Sequence, residues 1–206
     1  MMTTRAIRIA VLVSGGGSNL QALIDNSRDK PYEIALVAAD RDCYALERAQ
    51  KAGIPTVLTS AQTGMKRSEA RDYISTALLE RVHEYRVDAL VLAGFLTIMT
   101  GPIIQEFSQR IINIHPALLP KFGGPGMWGH HVHEAVLAAG EVESGCTVHL
   151  VDAGCDTGPI LLQRKVPVMP GDSAESLAER ILKEEHTAIV EGVVLLAGRL
   201  ALTTGV

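Results

Sequence analysis

Apolar, β-branched runs alternate with helix-period segments from residue 7 to residue 115, and that alternation constrains the fold more than any other feature. Strands are expected at 7–13, 33–39, 55–58, 88–93 and 110–114. Helical periodicity starts at Leu20, recurs over 44–51 and 66–85, and resumes near Gly101-Pro102, where proline suits a first turn. Strand and helix in turn imply a Rossmann-like, mostly parallel twisted sheet, with right-handed crossovers and helices on both faces. The pattern changes after Pro120. Two strands, 144–151 and 159–166, are separated only by the loop 152–158, so an antiparallel pair is expected on the parallel sheet. A helix over 132–139 precedes them. Asp172-Ser173-Ala174-Glu175 reads as a capping box opening a last helix to about residue 199.

The first strand runs straight into Ser14-Gly15-Gly16-Gly17-Ser18-Asn19. Strand, glycine-rich turn and helix is the arrangement that gathers free backbone N–H groups around an anion at a helix N-terminus. Ser18 and Asn19 are placed to cap that helix or to donate to phosphate oxygens. A capped turn without a ligand is the plainer alternative, although three successive glycines exceed what a tight turn needs. A dinucleotide fingerprint G-x-G-x-x-G is only half met. Leu20 stands at its third position, while Asp40 ends the second strand where a ribose-binding acid would lie.

The stretch Ile111–Pro120, IINIHPALLP, holds a second candidate site. Asn113 and His115 are two apart on a strand and leave from one face, at the carboxyl end where open α/β sheets put their ligand crevice. Pro116 ends the strand, and the proline-flanked exit is stiff. The pair reads either as turn groups satisfying local hydrogen bonds or as functional groups held still. Asp156 lies in a glycine-rich loop, where a carboxylate is a turn former or a site residue. Phe122 and Trp128 flank a glycine-rich stretch and are candidate lid residues. His130, His131 and His133 invite a metal reading, but no carboxylate or thiolate nearby has a standard ligand spacing.

Several function classes are disfavoured by composition. A formal net charge of −4 gives no general attraction to nucleic acid or an acidic membrane, yet leaves a local phosphate loop unaffected. The longest apolar runs are far too short to span a bilayer. Arg8 interrupts the first apolar run, which therefore does not read as a signal peptide. Cys43, Cys146 and Cys155 show no C-x-x-C spacing and are expected to be reduced, cytoplasmic thiols.

Together SGGGSN (14–19), LAGF (92–95), NIHPALLP (113–120), TVHLVDAGCDTGPIL (147–161) and EEH (184–186) resemble the phosphoribosylglycinamide formyltransferase family, over nearly the whole length. The Asn-x-His…Asp set alone marks a wider formyltransferase and hydrolase superfamily. The glycine loop directly after the first strand singles out the glycinamide ribonucleotide branch. The resemblance implies one formyltransferase domain over 1–206, with a phosphate-binding half at 1–115 and a folate-binding, catalytic half at 116–206. It implies small-molecule partners only (10-formyltetrahydrofolate as co-substrate and the ribonucleotide as acceptor), no metal, and a monomer or weak homodimer. The residues so implied as catalytic are Asn113 and His115, stabilising an oxyanion, and Asp156, raising the histidine pKa and assisting proton transfer. Gly16, Gly17, Ser18, Asn19 and Glu185 are implied to hold the ribonucleotide. Arg67, Leu96, Thr97, Ile98, Met99, Asn113, Asp152, Ala153, Gly154, Cys155 and Asp156 are implied to hold the folate, with His149 in support. Thr97 departs from the family, which often has Arg or Lys there. The runner-up is a 10-formyltetrahydrofolate hydrolase, since the same three groups can activate water. A water molecule, however, has no use for a phosphate cradle.

Overall fold

The computed structural model describes residues 5–203, so the ends of the expected 1–206 domain, residues 1–4 and 204–206, lie outside it. Seven strands form one sheet in the order β3-β2-β1-β4-β5-β6-β7. Strands β1 (Ile7–Val13), β2 (Tyr32–Ala39), β3 (Thr56–Leu58), β4 (Ala89–Leu92) and β5 (Ile111–His115) pair in parallel. Strands β6 (Glu143–Leu150) and β7 (Ile160–Pro167) complete the sheet, with antiparallel pairing between β5 and β6 and between β6 and β7. Only β6 runs against the rest. The fold expected from the alternation is the fold observed.

Two apolar layers cover the sheet. One face packs against α1 (Ser18–Asp25), α2 (Tyr44–Lys51), α5 (His130–Ala138) and α6 (Ala174–Thr203), through residues such as Leu23, Ala49, Val136, Leu177 and Leu196. The other packs against α3 (Arg67–Glu84) and α4 (Pro102–Glu106), through Ile74, Leu78, Val82 and Phe107. Central strands buried on both faces are why Ile9–Val13 and Ala89–Leu92 are continuously apolar instead of alternating.

Two helix starts differ from expectation. Ser18 does not cap α1; it is its first residue, and left-handed Gly17 (φ 72°) stands at the N-cap with no side-chain cap bond. The box opening α6 is built one residue later than expected. Ser173 Oγ accepts from Ser176 N–H (3.2 Å) and Ser176 Oγ from Ser173 N–H (3.0 Å), so serines close it and Glu175 does not. Asp172 instead holds Arg180, at 2.7 and 2.8 Å.

The topology sets the site. Strand order reverses direction between β1 and β4, and register places Leu12 beside Leu92 and Leu92 beside Asn113. At about 4.8 Å per strand, the glycine loop leaves the sheet roughly 10 Å from Asn113, on the same carboxyl edge.

Candidate active site

Asn113 and His149 are directly opposed in the antiparallel β5–β6 register, as are His115 and Thr147. Pairing across β5–β6 thus brings an amide and two imidazoles, distant in sequence, onto one patch. Asn113 Nδ2 lies 3.1 Å from His149 Nε2. His149 Nδ1 lies 2.9 Å from its neighbour's carbonyl, Leu150 O, and donates there. The loop after β6 folds back over this patch. Asp156, itself left-handed at φ 57°, sets its carboxylate 3.6 Å from His115 Nδ1 and 3.5 Å from His149 Nε2. Gly124 N–H donates to the same carboxylate at 3.0 Å. Gly158 sets that return: a Cβ there would lie 1.8 Å from Leu150 O, so the loop closes only without a side chain.

The expected effect of Asp156 on His115 needs correction. Burial dominates and lowers the His115 pKa below its ordinary value. Asp156 and the Phe122 carbonyl push it up without offsetting this, and His149 adds to the lowering. His115 is 4% exposed and points Nε2 at Phe122 O, 2.7 Å away. In this state the imidazole is a buried neutral donor to a backbone carbonyl, not a cation. Burial also pushes Asp156 up, but the contact with His149, the Gly124 N–H bond and the nearness of His115 together hold it below the usual carboxylate range. Asp156 is therefore ionised at neutral pH.

A cavity of about 100 Å³ opens beside this cluster. Asn113, His149 and Asp156 form its polar side. Phe95, Leu96, Thr97, Ile98 and Met99, leaving β4, make one wall, and Asp152, Gly154 and Cys155 make the other. Most residues that family resemblance assigns to the folate are thus gathered around one opening. His115 and Ala153 do not line it. Arg67 does not either; it opens α3 and is exposed. Arg71, one turn on, is near enough to bear on the Cys155 thiol, and that signal lay in the helix repeat. Thr97 turns its hydroxyl to Asp40 (2.6 Å), a side chain fully buried and also gripped by Arg41 (3.0 Å). Asp40, which the dinucleotide reading used for a ribose, is spent on this internal tie.

Across the switch point, Asn19 Nδ2 donates to Glu185 Oε2 at 3.1 Å. Burial raises the Glu185 pKa, and the Asn19 amide only partly offsets it. Of the expected ribonucleotide residues, Asn19 and Glu185 therefore meet at the α1–α6 interface, and residues 16–18 directly precede Asn19 in the chain. The three histidines are apart in role. His130 and His131 each approach Glu134 (3.3 and 3.5 Å), while His133 is buried. Phe122 packs against the core instead of facing solvent; Trp128 is exposed, edge-on to His131.

Sequence reasoning missed Thr147 and Gln163. Thr147 Oγ1 donates to Ala117 O (2.6 Å) and accepts from Leu119 N–H (3.1 Å); Gln163 Nε2 donates to Leu119 O (2.9 Å) and Thr147 Oγ1 (2.9 Å). These bonds pin the exit that follows His115. Only the β6–β7 register, which pairs 147 with 163, reveals them.

An α/β sheet with an Asn/His/Asp cluster beside a cavity at its carboxyl edge defines a class. The formyl transferase family model matches residues 7–193, and the chain belongs to that family. Among solved structures, glycinamide ribonucleotide transformylase 1 from Symbiobacterium toebii superposes with a TM-score of 0.84 at 43% identity, covering 93% of this chain and 88% of that one. The trifunctional purine biosynthetic protein adenosine-3 of Drosophila melanogaster is 42% identical over 98% of this chain. The chloroplastic phosphoribosylglycinamide formyltransferase of Vigna unguiculata is 40% identical over 93% of it. The chain spans only 15% of the first relative and 61% of the second.

Proposed function

We propose that this chain transfers the formyl group of 10-formyltetrahydrofolate to the amine of N1-(5-phospho-D-ribosyl)glycinamide, in purine biosynthesis. The observation that carries the reading is the pairing of two unlike features on one sheet edge. An ionised carboxylate with amide and imidazole groups lines an apolar-walled cavity, and a glycine loop with free N–H groups opens a helix about 10 Å away. One suits an acyl centre, the other a phosphate. The relatives named above support the same substrates.

The reaction is direct attack. The amine forms a bond to the formyl carbon, the carbonyl pair moves onto oxygen, and the N10–carbon bond then breaks as tetrahydrofolate leaves with a proton. Asn113 offers an amide N–H to the oxyanion. Asp156 takes the ammonium proton and returns one toward the leaving nitrogen. His115, kept neutral by burial, becomes a better proton acceptor once the oxyanion adds negative charge beside it. Glu185, Asn19 and residues 16–18 hold the ribonucleotide. The 95–99 and 152–156 segments hold the folate. Small molecules are then the only partners, in the cytoplasm, and the expected halves 1–115 and 116–206 share both tasks: Asn113, His115 and the 95–99 segment come from the first, Asp156 and Glu185 from the second.

The test is a spectroscopic assay of 10-formyltetrahydrofolate with and without glycinamide ribonucleotide. Folate turnover that requires the ribonucleotide is expected. Equal turnover without it would make the chain a hydrolase instead.

A further inference from the structure

The glycine loop is held from outside by α2. Ala45 N–H donates to Gly15 O (3.1 Å), and Arg48 Nε donates to Gly16 O (2.7 Å). In a trans peptide the carbonyl and the following N–H point in opposite directions. Tying those two carbonyls to α2 therefore turns the N–H groups of Gly16 and Gly17 away from it. Neither N–H has a hydrogen-bond partner among the described residues, and Gly15 and Gly16 are exposed. They add to the free N–H groups in the first turn of α1, which makes an anion-binding concavity.

Arg48 does more than meet one carbonyl. Its Nη1 donates to Gln21 Oε1 on α1 (3.1 Å), and its guanidinium lies over the Tyr44 ring, 4.9 Å from the centroid. A single planar fork thus spans the loop, α1 and α2. The loop lies hard against α2, since a Cβ on Gly17 would sit 2.6 Å from Ala45 Cβ. A separate observation points to a ligand on this helix start. Asn19 is 8% exposed and its amide Oδ1 has no partner, although its Nδ2 is used. A buried amide oxygen left open there awaits a donor such as a ribose hydroxyl or an amine.

We propose that Arg48 is a positioning residue for the phosphate loop: by holding the Gly16 carbonyl outward it pre-aims the Gly17 N–H at the 5′-phosphate of the ribonucleotide. This rests on the function proposed above. Arg48 acts through the loop and does not touch the substrate. Lysine keeps the charge but not the fork, so it cannot hold Gly16 and Gln21 together.

The experiment compares wild type, Arg48→Met and Arg48→Lys. It measures KM for the ribonucleotide, KM for 10-formyltetrahydrofolate, and inorganic phosphate affinity by calorimetry. Arg48→Met is expected to raise the ribonucleotide KM and weaken phosphate binding at least tenfold, with the folate KM changing less than twofold. Arg48→Lys is expected to recover only part of the loss. Full recovery in Arg48→Lys would mean that charge alone matters, and would overturn the positioning role. Equal rises in both KM values would reduce Arg48 to a structural residue and overturn it too. The phosphate titration needs no turnover. Equal phosphate affinity in wild type and Arg48→Met defeats the Arg48 assignment, whereas wild-type turnover independent of the ribonucleotide defeats the transferase reading beneath it.

Discussion

Asp156 is the residue on which the chemistry turns. It is ionised at neutral pH, touches both imidazoles and borders the cavity. Asp156→Asn keeps the shape but removes the proton acceptor, so kcat is expected to fall by about 10²–10⁴ with ribonucleotide affinity nearly unchanged. Single-turnover kinetics beside equilibrium binding would check this, and a loss of binding with normal turnover would refute the role. Gly17 is the matching residue at the other end of the site. Gly17→Ala places a Cβ against Ala45 and forces a non-glycine residue to φ 72°, an unfavourable conformation by about 1–2 kcal/mol before any clash. Denaturant titration should register that loss, and the ribonucleotide KM should rise with it.

At the scale of elements, the segment after β5 is held by strands distant in sequence. Thr147 carries three hydrogen bonds to residues 117, 119 and 163. Thr147→Val is nearly isosteric but strands the Leu119 N–H in a buried place, which costs about 1–3 kcal/mol. The same change loosens the exit from His115, so kcat should drop although residue 147 does not line the cavity. A variant with unchanged melting temperature and turnover would show that the bonds on Thr147 are dispensable. Helix α6 reaches the site from the opposite end of the chain, carrying Glu185 to Asn19 on α1. Its seat is the apolar layer around Leu177, Ile181 and Leu196. Leu177→Ala is expected to cost about 2–5 kcal/mol as the cavity left behind relaxes only in part.

For the whole molecule, stability depends on pH through buried histidines. Burial lowers the pKa of His115, His133 and His186 alike. Below pH 6.5 the unfolded chain binds protons that the folded chain still refuses, so the unfolded state gains. The histidine contribution is thus full above pH 6.5 and is lost as pH falls through the folded-state values, while buried Glu185, with its pKa raised, works in the opposite sense. Asp156 adds a loss of the same sign at lower pH, beneath 3.8. Urea titrations at pH 7.5, 6.5 and 5.5 should show a falling midpoint, less steep in His115→Gln. A midpoint that rises on acidification would contradict the burial argument.

Strand and helix periods, the glycine loop and the Asn113-x-His115 pair were legible in the linear sequence because they depend on local spacing: two residues per strand repeat, 3.6 per helix turn, and a proline that ends a strand. Most cavity-lining residues were implied by the family resemblance, whereas that local information was enough for the sheet and its antiparallel addition. It did not reach across strands. The β5–β6 register alone puts His149 against Asn113, and the β6–β7 register alone puts Gln163 against Thr147. Nor did it reveal the sign of the His115 shift. Sequence sets a carboxylate and an imidazole in one site, but burial depends on everything packed around them, and here desolvation outweighs the ion pair. Local chemistry was fixed by residue order; which groups meet, and how dry they are when they do, was decided by the tertiary structure.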